Sequence, residues 1–283
     1  MAKQQTSQNN RNYYNLKHRN MKKLYFFLIA ILLVSMQIAK GQTIYWSENF
    51  EDSLSYVNNW TISAGTWEIG IPTSGPNAAH GGAKCAATVL AGNYSDWVDS
   101  KLISPLFTVP AANQYPRLRF WHYYNMSSND YGKVMIKYAH SNNWIDISPH
   151  YGGYCNGIWS RPYLDLSAYA DSAVQLAFYF HAADDGWSGS DVGPGWYFDD
   201  LLVETGAPVF NNPETWENGI GSWYSDYSTW EVGVPTSGPN ATHGGQNCAA
   251  TILNGNYTDW VDSKLISPPF TVPSANQYPR LRF

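Results

Sequence analysis

Seven histidines, 22 acidic residues and three cysteines are the groups in this 283-residue chain whose chemistry could matter most. The histidines are His18, His80, His122, His140, His150, His181 and His243, and no two have metal-ligand spacing. There is no His-Glu-x-x-His zinc helix, no Gly-x-Ser-x-Gly elbow and no phosphate-cradling Gly-x-x-x-x-Gly-Lys-Ser/Thr loop. A catalytic triad around His80 would need partners that the sequence does not nominate. Its setting, "GPNAAHGG", is turn chemistry, so a structural histidine bonded within a turn is expected. Two carboxylate pairs stand out: Asp184 and Asp185 in "AADDGWSGSDVG", and Asp199 and Asp200 in "WYFDDLLV". A glycosidase needs two carboxylates at a fixed separation, which a sequence does not supply. Oxygen-rich flexible loops also suit Ca²⁺, although the first pair lacks the EF-hand spacing, and a solvated loop is the plain alternative. Trp121, Tyr123 and Tyr124 could form a platform that stacks on sugar rings, or they could fill a core.

The elements that position these groups come in two copies. Trp67 to Phe120 and Trp230 to Phe283 align without a gap, at an offset of 163, and differ at ten of 54 positions. That offset is too long for a solenoid or propeller unit and suits one domain plus a linker. The second copy stops where the first continues with "WHYYNMSSNDYGKVMIKY", so the chain is expected to be a piece of a longer protein. The copies also organise the cysteines. Cys85 and Cys248 are one position in two copies, while the twin of Cys155 would lie past the end. A Cys85–Cys155 disulfide with Cys248 left over is therefore expected. Three buried free thiols and a Cys85–Cys248 bridge are the alternatives.

Short alternating segments broken by Gly, Pro, Asn and Ser read as strands. Examples are "RLRFWHYY", "GKVMIKY", "SAVQLAFYF" and a last strand in "WYFDDLLV". No segment carries a capped apolar period of 3.6. The expected fold is all-β: a two-sheet jelly-roll sandwich repeated in tandem, with the second copy truncated. Residues 42–204 form the complete copy, residues 205–213 a linker and residues 214–283 the second copy. Residues 1–41 are a leader. Met21 opens two lysines, an apolar run of about 15 residues and a small-x-small site at Ala39-Lys40-Gly41, which is a secretory signal peptide. The leader holds seven of the 17 basic residues and no acidic ones, leaving ten basic against 22 acidic residues, a formal net charge of −12. Such an acidic exported chain is a poor nucleic-acid binder.

The set "GPNAAHGG", "SKLISPLF", "PRLRFWHYYN", "YGKVMI" and "GWYFDDLLV" resembles the MAM-like β-sandwich domains of exported bacterial proteins, often appended to secreted peptidases of the immune-inhibitor and bacillopeptidase type. The resemblance covers nearly all of the first copy and the first half of the second. It implies a jelly roll and a non-catalytic adhesion or accessory role, with an extracellular protein, a glycan or a neighbouring domain as partner. It also implies that the first and last strands run side by side and share one Ca²⁺. Glu48 and Glu51 are the candidates on the first strand, and Glu51 is the choice between them. Asp199 matches the liganding aspartate on the last. Strand neighbours face opposite ways, so Asp200 is expected to point away from any site that Asp199 serves.

Overall fold

The computed structural model describes residues 42–52, 59–183, 191–227, 229–259 and 261–283. Residues 1–41, expected as a leader, and Asp184 and Asp185 lie outside them. Residues from Gly41 to Phe283 form one compact unit. Two antiparallel sheets carry it, as the alternating segments require. One contains β1 (Thr43–Glu48), β3 (Glu68–Gly70), β4 (Cys85–Ala87), β7 (Arg117–Asn125), β11 (Tyr163–Asp165) and β13 (Gly195–Thr205), in the order β11-β7-β13-β4-β3 with β1 also on β13. The other contains β2 (Thr61–Ser63), β5 (Val98–Ile103), β6 (Phe107–Thr108), β8 (Tyr131–Tyr138), β9 (Ile145–Asp146), β10 (Tyr151–Gly152) and β12 (Ala173–Ala182), centred on β8, β12 and β5. Residues beyond β13 add two small ladders, β14 (Tyr224–Ser225) with β17 (Leu265–Ile266), and β15 (Glu231–Gly233) with β16 (Cys248–Ala250).

The sheets face each other through the period-two residues. Leu118, Phe120 and His122 of β7 meet Leu176, Phe178 and Phe180 of β12, and all are at most 1% exposed. Phe178 stacks on Phe198 with ring centroids 3.9 Å apart. Each such ring contributes about 1.5–3 kcal/mol by leaving water. Gly132 of β8 leaves room for the Trp196 ring, which would collide with a Cβ there.

One irregularity matters for function. Between Asp199 and Leu202 the register of β13 on β7 slips: Asp199 faces Trp121, but Leu202 faces Arg119. Three steps on one strand oppose two on the other, which is a β-bulge, and Asp200 sits in it with φ +49°. The core side of β13 changes parity accordingly, from Trp196 and Phe198 to Leu201 and Val203, all fully buried. The bulge rests on the β1 side of the sheet, where Glu48 faces Leu201.

Candidate functional site

The bulge brings together residues that strict alternation would separate. Asp199 Oδ2 accepts the Gly81 N–H at 3.0 Å, and Asp200 Oδ2 lies 2.7 Å from His80 Nδ1. The expectation that Asp200 points away is thus corrected, because the extra residue turns its side chain to the same outer face. From the other side, Glu51 Oε1 accepts the N–H groups of Ala83 and Lys84, both at 2.7 Å. These bonds hold the Glu51 carboxyl below its ordinary pKa. Gly82 makes the approach feasible: its φ is +60°, and a Cβ there would lie 2.5 Å from Glu51 Oε1. The loop 80–84 is thereby clasped between the first strand's end and the last strand.

The predicted metal set assembles only in part. Glu48 is engaged on the core side: its two oxygens take the Phe50 N–H at 2.8 Å and the Trp60 indole N–H at 3.2 Å. Glu51 and Asp199 do flank one loop. Asp199 is fully buried, and burial first, then the neighbouring Asp200, push its pKa up to about 6. Two hard oxygen donors in a region of excess negative charge fit Ca²⁺ in kind. Among the described residues, no three His, Cys, Asp or Glu side chains form a metal-ligand group.

The stacking platform is corrected as well. Tyr123 and Tyr124 are 5% and 2% exposed. Tyr124 faces the core, and Tyr123 packs edge-on against Tyr197. Only Trp121 remains on the surface side, half-buried. The His80 ring stacks on it at 4.0 Å and meets Trp159 edge-on at 5.9 Å. Trp159 was not among the expected site residues; the bridge of its neighbour Ser160 to His122 sets it beside β7. Trp121, Trp159 and His80 line one wall of a cleft of about 430 Å³, whose other wall includes Ile220 and Trp230. Asp200 therefore aims His80, and His80 braces Trp121. Among the described residues, the contacts of the His80 ring are Asp200, Trp121 and Trp159, which is a clamp and not a nucleophile–base pair.

The expected Cys85–Cys155 disulfide is also corrected: both thiols are free and buried. Cys155 lies beyond β7, where its N–H bonds Tyr124 O, while Cys85 lies on β4 across β13. Three strand spacings of about 4.8 Å separate them, well past the reach of an S–S bond. Burial pushes the Cys85 thiol up to about 12 and the Cys155 thiol to about 11.

The same pattern of bonds recurs around Glu214 and Glu217. Glu217 Oε1 accepts the N–H groups of Gln246 and Asn247, at 2.9 and 3.1 Å. Glu214 takes the Trp216 N–H and the Trp223 indole N–H, as Glu48 takes those of Phe50 and Trp60.

No family model matches the chain. It is 30% identical over 147 residues to Bacillopeptidase F of Bacillus subtilis (strain 168), a match that takes in 50% of this chain and 10% of that protein. The chain thus spans about a tenth of the length of that curated relative. Among solved structures, the K3 cleaved adhesin domain of Lys-gingipain from Porphyromonas gingivalis w83 is 16% identical, with 57% of this chain and 98% of that chain covered and a TM-score of 0.37. A family 22 carbohydrate-binding module of Clostridium thermocellum Xyn10B is 13% identical, with 59% and 97% covered and a TM-score of 0.36. No helix among the described residues is long and apolar enough to cross a membrane.

Proposed function

We propose that this chain is a non-catalytic binding and accessory module of an exported protein, of the MAM-like kind and in tandem copies. In this reading the complete copy spans 42–204, the second begins at 214, and Met21 opens the signal peptide. The recurrence of the same glutamate clasps at Glu48/Glu51 and Glu214/Glu217 supports the division into copies. The observation that carries the binding role is the braced aromatic wall: Trp121 held flat under His80, with Trp159 beside it, at an open cleft. An indole plane fixed by its neighbours binds a flat apolar face, such as a sugar ring, at little entropic cost. The partner is an extracellular glycan or protein surface. Calcium enters through Glu51 and Asp199, where it would tie the clasped loop to the last strand.

A glycan array probed with the purified chain, alongside Trp159→Ala, tests this. Binding by the parent that is lost in the variant, with unchanged circular dichroism, is the expected result. Equal binding by both, or none to any glycan or matrix protein, removes the cleft from consideration.

A second reading, an accessory region of a secreted peptidase, is favoured by the stretch shared with Bacillopeptidase F. Reading the gene beyond the codon for Phe283 distinguishes the two.

A further inference from the structure

The outer face of β7 carries a charge imbalance that none of the readings above uses. Arg117 and Arg119 both point to this face and are fully buried. Arg161, just ahead of β11, joins them with its side chain 17% exposed. The aromatic ring of Tyr163 lies under two of the guanidiniums, 5.8 Å from each. Among the described residues, Glu204 supplies the carboxylate that lies within 4 Å of the three. Its distances are 2.8 Å to Arg117 Nε, 4.0 Å to Arg119 Nη1 and 3.8 Å to Arg161 Nη2. Within 4 Å, three guanidiniums thus share one carboxylate, with Asp200 acting on Arg161 from farther away.

The hydrogen bonds are equally incomplete. Arg117 Nη1 donates to the carbonyls of Tyr115 and Gly206, and Arg119 Nη2 donates to Trp223 O at 3.0 Å. Among the described residues, Arg117 Nη2, Arg119 Nε, Arg119 Nη1 and Arg161 Nε have no hydrogen-bond partner although all are buried. Burial chiefly, with Arg161 next, pulls the Arg119 pKa down to about 9. Buried guanidiniums without a compensating charge are costly, and a buried donor left unmade costs more than a bond gains. A planar guanidinium fork is shaped for the two oxygens of an oxyanion.

We infer that Arg117, Arg119 and Arg161 form a binding site for a small oxyanion, a carboxylate or sulfate group, beneath the Trp223–Tyr224 segment. That segment covers the face: Tyr224 stacks on Tyr163 at 5.2 Å while Trp223 O caps Arg119. Trp121, two residues on from Arg119 on the same face, lines the open cleft. The oxyanion can be a free ion or the acidic group of a sugar.

Isothermal titration of the full chain at constant ionic strength tests this, with sulfate, acetate and D-galacturonate as probes and D-galactose as the neutral control. At least one anion should bind saturably and galactose should not. Equal affinity for acetate and galacturonate identifies a free-ion site, whereas a preference for galacturonate identifies a sugar acid. Glu204→Gln removes the competing carboxylate and should tighten binding about tenfold or more, the equivalent of one charge-assisted bond. Arg161→Gln, at the rim where the fold tolerates it, should weaken binding by a similar factor. Absence of saturable binding by every anion overturns the site. So does binding that neither substitution alters.

Discussion

Asp199 and Asp200 are neighbours on β13, yet both carboxylates reach the loop 80–81, one to the Gly81 N–H and the other to His80. A β-bulge permits this, and it divides the labour. The buried Asp199 holds the backbone, while the half-exposed Asp200 aims a ring. The His80–Asp200 pair has side-chain exposures of 28% and 33%, so solvent screens it. Asp200→Ala should therefore cost no more than about 1 kcal/mol of stability. It should free His80 from Trp121 all the same. The expected signature is stronger iodide quenching of tryptophan fluorescence with a nearly unchanged urea midpoint. A large fall in the midpoint would mean that the pair supports the fold and not the cleft.

Asp199 tests the calcium proposal. Its folded pKa of about 6 lies above its unfolded value, so ionised Asp199 destabilises the apo fold as pH rises through this range. The cost at pH 7 is on the order of 3 kcal/mol. A cation shared with Glu51 would reverse it. In chelator, Asp199→Asn should be at least as stable as the parent. In millimolar Ca²⁺ the parent should gain several degrees and the variant nothing. Identical melting curves for the parent with and without Ca²⁺ would leave Glu51 and Asp199 as clasps of the loop alone.

The strands and the core were legible in the sequence because period-two patterning survives in "RLRFWHYY" and "SAVQLAFYF", and the all-β sandwich follows from it. The site was half legible. The turn role of His80 was visible in its glycines, but its partner was not, since a bulge at Asp200 leaves no mark that alternation can read. Glu48 and Glu51 both stood as candidates in "ENFED", with Glu51 preferred. The Trp60 indole separates them by claiming Glu48, a contact across 12 residues. Alternation in "PRLRF" says nothing of what covers its arginines. Only the chain folding back at Trp223 shows that they are buried.

The cysteines offer a direct check. Cys85 and Cys155 are fully buried, with thiols raised by burial, and thiolate is the reacting form. Cys248 is only partly buried. Native protein treated with iodoacetamide near pH 8 should be labelled at Cys248 alone, and all three should react in denaturant. Failure of Cys85 and Cys155 to react in denaturant without reductant would restore a disulfide.

His122 sets an acid limit on the fold. It is fully buried, and desolvation lowers its pKa to about 3. Its Nδ1 receives the Trp196 indole N–H at 3.3 Å, so the folded state needs that nitrogen unprotonated. The rings of Phe120, Tyr124 and Tyr151 close around it and offer no counter-charge. In the unfolded chain the imidazole takes a proton near pH 6.5. The unfolded state therefore binds more protons between pH 6.5 and 3, and stability falls as pH drops through that window. At pH 5 the loss from this residue is about 2 kcal/mol. His122→Gln removes the titration, so between pH 7 and pH 5 the parent should lose about 2 kcal/mol more than the variant in urea unfolding. Parallel pH profiles would show that His122 keeps its proton inside the sheet.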